Sequence, residues 1–174
     1  LKDLVENNGV IGIKTSFEDE GASLNEVIRL KELCNQAGTK LLLKIAGAEA
    51  KRDLVDSQII GVKGIVAPMI ESAFALDKFV KSAKSILPND VLSNVQLGVN
   101  IETITAYKNF KEMVNSDGFN SLYHITLGRV DFVSSMGKDR TYVNSDEILD
   151  SIYEIYPKNY IEYWMDRDPK KMID

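Results

Sequence analysis

"VQLGVNIETITAYKNFKEMV", residues 95–114, holds one strand and one helix with a carboxylate between them. Val95 to Ile101 reads as a buried strand. Thr103 to Val114 reads as an amphipathic helix, stopped by the breaker Asn115-Ser-Asp-Gly118. The same unit recurs on both sides. Upstream lies a strand at Val10–Phe17. Its helix carries a Ser23/Glu26 capping box, apolar positions Leu24, Val27, Ile28 and Cys34, and Gly38 as its stop. A strand at Lys40–Ile45 follows, with a helix at about Ala48–Ile60. The next strand is Gly64–Ala67, with a helix from about Ser72 to Leu87 that ends at Pro88. Downstream a strand at Tyr123–Leu127 leads to a short turn or helix at Ser134–Met136. A later helix starts at Asn144, with Glu147 three residues on and Ile148, Ile152 and Ile155 on one side.

Five strand–helix units at spacings of roughly 25 to 30 residues have the rhythm of consecutive βαβ crossovers, so the sheet is expected to be parallel. Two architectures fit, an open doubly wound sheet and a β/α barrel. The chain has no G-x-G-x-x-G after its first strand and no G-x-x-x-x-G-K-[ST] anywhere, which removes the usual signals of nucleotide-binding open sheets.

Composition sets the outer bounds. The chain has 174 residues, 44% apolar and 27% charged, with a net charge of −5. One domain with a real core is expected. A nucleic-acid partner would call for a basic balance or stripe, and neither is present. No apolar run approaches the ~20 residues of a membrane span, and the opening Leu-Lys-Asp-Leu-Val-Glu resembles the end of an amphipathic helix rather than a signal peptide. A first residue other than Met points to a fragment or a processed chain. Cys34 is the one cysteine; it lies on a helical apolar stripe and suits a core position in a reducing cytoplasm. The segment from Tyr153 holds four of the seven tyrosines and the one tryptophan. It reads as an extension, residues 153–174 after a domain of residues 1–152, helical or poorly ordered, with Ile155, Tyr156, Tyr160, Trp164 and Met165 able to form one apolar surface.

In parallel α/β folds, ligands bind at the C-terminal ends of the strands. The polar residues at those ends are Glu18, Asp19 and Glu20; Lys44 and then Glu49; Glu71 and Ser72; Asn100 and Glu102; and Arg129 with Asp131. Glu102 and Asp131, from adjacent strands, suit a hard divalent cation. Lys44 and Arg129 suit an anionic substrate or a developing oxyanion. Acidic residues just after a strand also serve as helix caps, a role open to Glu18, Asp19, Glu71 and Glu102. His124 is the one histidine and sits at the far end of its strand, where a structural role is expected. A His/Cys zinc site and a Ser-His-Asp triad are therefore disfavoured.

Three stretches in this order, "VAPMIES", "VNIETITAYKN" and "LGRVDFVSSMG", resemble the HpcH/HpaI aldolase and citrate lyase family over roughly residues 10 to 150. "FEDEGAS" and "KIAGAEAKRD" resemble an aldolase/citrate-lyase-like subgroup. The resemblance implies a phosphoenolpyruvate/pyruvate-type TIM barrel. It also implies a metal-dependent carbon–carbon lyase acting on a small oxo-acid or an acyl thioester through a metal-stabilised enolate. Position by position, Glu102 and Asp131 would hold Mg²⁺ or Mn²⁺. The loop glutamate of the family is Glu20 here; from their places at the strand ends, Lys44 and Arg129 join it as catalytic candidates and Asn100, Gly128 and Glu49 as substrate-binding candidates. Lys44 stands where the family's aldolases usually have an arginine, Gly21 where they have a histidine, and Arg129 where they tend to have a small residue. A complete barrel has eight strands and typically ~250 residues. Five units leave the barrel incomplete with two strand edges for the tail or a second chain to cover, so association, as a homo-oligomer, or marginal stability is expected. An inactive relative that binds a small anion or a protein partner is the alternative, and an interaction protein using the aromatic tail is a third reading.

Overall fold

The computed structural model describes residues 1–155. A short helix α1 (Lys2–Asn8) leads into β1 (Gly12–Ser16). Then come α2 (Leu24–Gln36), β2 (Lys40–Lys44), α3 (Lys51–Ile60), β3 (Gly64–Ala67) and α4 (Ala73–Ile86). After them follow α5 (Asn89–Leu92), β4 (Gln96–Ile101), α6 (Ile104–Val114), β5 (His124–Leu127), α7 (Arg129–Ser135) and α8 (Asp146–Ile155). All four strand pairings are parallel, and spatial order equals chain order, β1-β2-β3-β4-β5. An open doubly wound sheet reverses at a switch point. This sheet never reverses, so it is a half-barrel: five strands of an incomplete α/β barrel with helices between them.

Helices α2, α4 and α6 start where hydroxyl side chains cap them. Ser23 Oγ accepts from the Glu26 N–H at 3.3 Å while Glu26 Oε2 accepts from the Ser23 N–H at 2.8 Å, the expected capping box. Ser72 and Thr103 cap α4 and α6 through the N–H groups of Ala75 and Ala106. Leu41, Leu43, Ile45, Ile65, Ala67, Leu97, Val99 and Ile101 alternate along the strands and bury against Val27, Leu54, Leu76, Phe79, Ala106 and Met113 of the helices. The opposite, inner face carries Lys14, Ser16, Leu42, Lys44, Gly64, Val66, Gly98, Asn100, His124 and Thr126. A Cβ on Gly98 would collide with the His124 ring, so the glycine makes room for it.

The first strand is shorter than expected, Gly12–Ser16 rather than Val10–Phe17, and three helix starts differ by two residues or more. The third helix starts at Lys51 rather than Ala48, because Asp53 Oδ2 accepts from the Ala46 N–H at 2.7 Å and holds the preceding turn non-helical. The last helix starts at Asp146, because Asn144 ends a 3₁₀ turn, Arg140–Asn144. The largest difference is α7, which begins directly after Gly128 rather than near Ser134. Phe132 and Val133 on it bury against Ile148 of α8 in a second small core, joined by Tyr107, whose ring meets Phe132 edge-on at 5.9 Å. Of the expected extension, residues 153–155 continue α8; residues 156–174, with Tyr156, Tyr160, Trp164 and Met165, lie outside the described residues.

Candidate active site

Parallel strands bring Ser16, Lys44, Ala67, Ile101 and Leu127 to one rim, with Ser16 opposite Lys44 and Ala67 opposite Val99. At its centre Glu102 leaves β4, only 2% exposed. Its Oε1 accepts from the Met69 N–H at 2.9 Å and its Oε2 from Asn100 Nδ2 at 3.0 Å. Met69 is in the left-handed region, φ 51°. That conformation is costly for a residue with a side chain and tends to occur at functional sites. Here it points the Met69 N–H at a carboxylate. Gly128 completes the fit: a Cβ there would lie 2.5 Å from Glu102 Oε2 and 2.6 Å from Glu102 Cβ.

Asn100 is 3% exposed, and its Oδ1 has no hydrogen-bond partner. An orphaned buried carbonyl oxygen beside a buried carboxylate is a donor set for a hard cation, which binds through oxygen. Asp131 is half-buried in the first turn of α7, one turn beyond Gly128, which touches Glu102. Among the described residues no three His, Cys, Asp or Glu side chains cluster to hold a metal. A cation held here would thus rest on one or two carboxylates plus neutral oxygens.

The other candidates are placed as follows. Lys44 is buried, and its Nζ pairs with Glu18 Oε2 at 2.7 Å and with Asp19 Oδ2. Burial works against the ammonium, but the hydrogen bonds to Asp19 and Glu18 outweigh it and hold the Lys44 pKa above the ordinary value. Contact between the two carboxylates raises Glu18 and lowers Asp19, with Lys44 pulling both down. Glu20 folds back, accepting from Thr15 Oγ1 at 2.6 Å and the Ser16 N–H at 3.1 Å. Arg129 is exposed, and its Nη1 donates to Asn144 Oδ1 at 2.6 Å. Glu49 is exposed and pairs with Lys78 at 3.1 Å. Glu71 Oε1 accepts from Thr103 Oγ1 at 2.6 Å, tying the loop after β3 to α6.

Glu102, Asn100 and Gly128 thus come together, with Asp131 close by in sequence on α7; Lys44 sits one side of them, on β2, beside Glu18 and Asp19. None of the acidic residues open to a capping role caps a helix: Ser23, Ser72 and Thr103 take that role. Sequence reasoning missed Met69, whose signal is purely backbone, and the pairing of Glu18 and Asp19 with Lys44. That pairing had a signal: a lysine ending a buried strand needs a counterion, and the adjacent strand's loop supplies two. His124 lies at the other end of β5; burial, then Lys14, hold its pKa below the ordinary histidine value. Cys34 is fully buried, and burial raises its thiol pKa. A polar depression of about 410 Å³, lined by Ser93, Gln96, Ser121 and Tyr123, lies at that far end, away from the rim.

A family model described as HpcH/HpaI aldolase/citrate lyase matches residues 26–157. No curated protein matches the chain. Among solved structures, that of citrate synthase SbnG superposes with a TM-score of 0.74 at 14% identity, over 88% of this chain and 66% of that one. An HpcH/HpaI aldolase from Desulfitobacterium hafniense DCB-2 gives 0.71 at 14% identity, over 89% and 68%. Macrophomate synthase gives 0.69 at 13% identity, over 88% and 62%. At these identities the likeness is one of fold, and the chain spans about two thirds of the length of those proteins.

Proposed function

The chain belongs to the HpcH/HpaI aldolase/citrate lyase family, and on that premise we propose that its rim is the active site of a divalent-metal-dependent carbon–carbon lyase or aldolase acting on a small oxo-acid or an acyl thioester. The observation that carries this reading is the buried Glu102 carboxylate, fixed by Met69 and Asn100 beside the unpartnered Asn100 Oδ1. Buried polar atoms are normally satisfied, so an orphaned oxygen next to a fixed carboxylate supports a cation as their common partner.

Glu102 and Asp131 are the residues that would hold the cation, Mg²⁺ or Mn²⁺, with Asn100 Oδ1 as a neutral donor. A bound divalent cation supplies the Lewis acidity that carbon–carbon cleavage beside a carbonyl needs. The chain's own residues do the rest. Met69 and Asn100 keep the Glu102 carboxylate from turning, so its remaining lone pairs aim one way. The absent Cβ of Gly128 lets the Glu102 side chain lie directly against the turn after β5. Lys44 offers the buried positive charge for a substrate carboxylate. Glu20, anchored on Thr15 and Ser16, is the carboxylate of the β1–α2 loop that would act as base, through a water. Arg129, held by Asn144, and Glu49, held by Lys78, border the substrate from the outer rim.

Mn²⁺ binding by calorimetry tests the assignment, with wild type compared against Asp131→Ala and Glu102→Gln. Weaker binding in both variants is expected. Equal affinity in all three proteins sinks the metal reading. Retro-aldol turnover of a 4-hydroxy-2-oxo acid with Mn²⁺, lost in Glu102→Gln, distinguishes a lyase from an inactive relative.

A further inference from the structure

Lys44 is the one buried lysine or arginine among the described residues, and it carries two counterions. A buried ammonium needs a partner, because an uncompensated buried charge costs several kcal/mol; one carboxylate meets that need. The second is surplus, and neither is buried. The Glu18 and Asp19 side chains are 32% and 58% exposed. An exposed carboxylate leaves an ion pair for water at little cost.

The loop backbone, by contrast, is fixed. Ser16 Oγ accepts from the N–H groups of both Glu18 and Asp19 at 3.0 Å, the Ala22 N–H donates to Ser16 O at 3.2 Å, and Glu20 is bound to Thr15 and Ser16. Lys44 is fixed as well, the last residue of β2, in register between Ser16 and Val66. The ammonium and the loop therefore stay in place, and the parts able to move are two carboxylate-bearing side chains at the mouth of the site.

We propose that Glu18 and Asp19 are specificity-determining residues, exchangeable counterions of Lys44, and that an anionic substrate enters by taking the place of one of them on the ammonium. Lys44 stays neutralised throughout the exchange. A neutral analogue gains nothing from displacing either carboxylate, so the loop selects for a ligand carboxylate. Each carboxylate competes with the ligand, and removing one strengthens ligand binding.

This inference rests on the oxo-acid reading of the rim, but its test needs no metal. Pyruvate is titrated by NMR, with EDTA present, into wild type, Asp19→Asn and Glu18→Gln. Pyruvamide, which lacks the carboxylate, is the neutral control. Each variant is expected to bind pyruvate about fivefold more tightly, as loss of one partly exposed ion pair gives, with pyruvamide binding unchanged. In the Lys44→Met background the gain disappears. A role confined to stability would move the unfolding temperature and leave the preference for pyruvate over pyruvamide where it was. The proposal is overturned if neither variant binds pyruvate more tightly, if no protein binds it, or if the gain survives Lys44→Met. Mn²⁺ affinity, measured on the same variants, is expected to stay at the wild-type value; absence of Mn²⁺ binding would count against the metal reading and leave the pyruvate result standing.

Discussion

Gly128→Ala adds one methyl group at the point where β5 hands over to α7. The backbone there has φ −84°, a value any residue adopts, so the substitution carries no conformational penalty. What it meets is Glu102. The new Cβ would lie 2.5 Å from Oε2, 2.6 Å from Glu102 Cβ and 3.3 Å from Cδ. The carboxylate has to move, and moving it stretches the bonds to the Met69 N–H and Asn100 Nδ2. Overpacking a buried site costs about 1–3 kcal/mol, and an unsatisfied buried partner costs about 1–3 kcal/mol more. A loss of about 2–6 kcal/mol follows, read from urea unfolding. Gly47→Ala is the control, since a Cβ there meets nothing within 4 Å; it should change stability by less than about 0.5 kcal/mol. The double variant with Glu102→Ala locates the clash, because the Gly128→Ala penalty should shrink once the carboxylate is gone. A Gly128→Ala protein as stable as Gly47→Ala refutes the claim that Gly128 exists to make room for Glu102. So does a penalty that persists in full without Glu102.

Other expectations follow from single residues. Met69→Gly should be at least as stable as wild type in urea, since glycine takes φ 51° without the cost of about 1–2 kcal/mol that side chains incur there; Met69→Val should be less stable, and equal stability of the two would refute backbone strain. Thr103→Ala should lose about 1–2 kcal/mol, because Thr103 both caps α6 and donates to Glu71, whereas Thr103→Ser, which keeps the Oγ, should recover most of it. His124 titrates below its ordinary value in the folded protein. The unfolded chain therefore binds the proton first, and the stability this group contributes is present at neutral pH and falls as pH drops below about 6.5; urea midpoints at pH 7.5 and 5.5 should converge in His124→Gln relative to wild type, and an unchanged pH dependence would refute this.

Where an element's ends are marked by residues of strong local preference, the sequence located it. The strand Gly64–Ala67 came out residue for residue, bounded by a short apolar run and Pro68. The helix after β1 came with its capping box, and α4 stopped before Pro88. α7 did not, because Val130, Phe132 and Val133 have strand-like composition; it is helical since that places Phe132 and Val133 against Ile148, a partner fifteen residues away that no local window contains. The site divides in the same way. Glu102 was visible as a carboxylate ending a strand. Its fixation by a left-handed Met69 was not, because methionine carries no sign of positive φ. The pairing of Lys44 with Glu18 and Asp19 depends on the register Ser16 opposite Lys44, a fact of strand pairing rather than of either segment alone.

A carboxylate that immediately precedes a helix is ambiguous in a sequence, since the helix N-terminus itself attracts it. Three of the strand–helix turns at the rim resolve the ambiguity in the same way. Ser23 caps α2, Ser72 caps α4 and Thr103 caps α6, and in each case the acidic residue upstream is left to other partners. Glu18 and Asp19 turn to Lys44, Glu71 turns across to Thr103, and Glu102 turns to Met69 and Asn100. The three releases are not equivalent. Glu18 and Asp19 pair with the Lys44 ammonium, and Glu71 ties two loops together, so each of these carboxylates meets a partner within the protein. Glu102 neutralises nothing among the described residues, is buried, and draws a costly backbone conformation into holding it. Burying an ionised group without a cation is unfavourable, and hydrogen bonds from one N–H and one amide offset that only in part. The arrangement makes physical sense when the remaining negative charge is matched by something that enters the rim. This is why Glu102, more than the acidic β1–α2 loop, is the residue on which the functional reading turns.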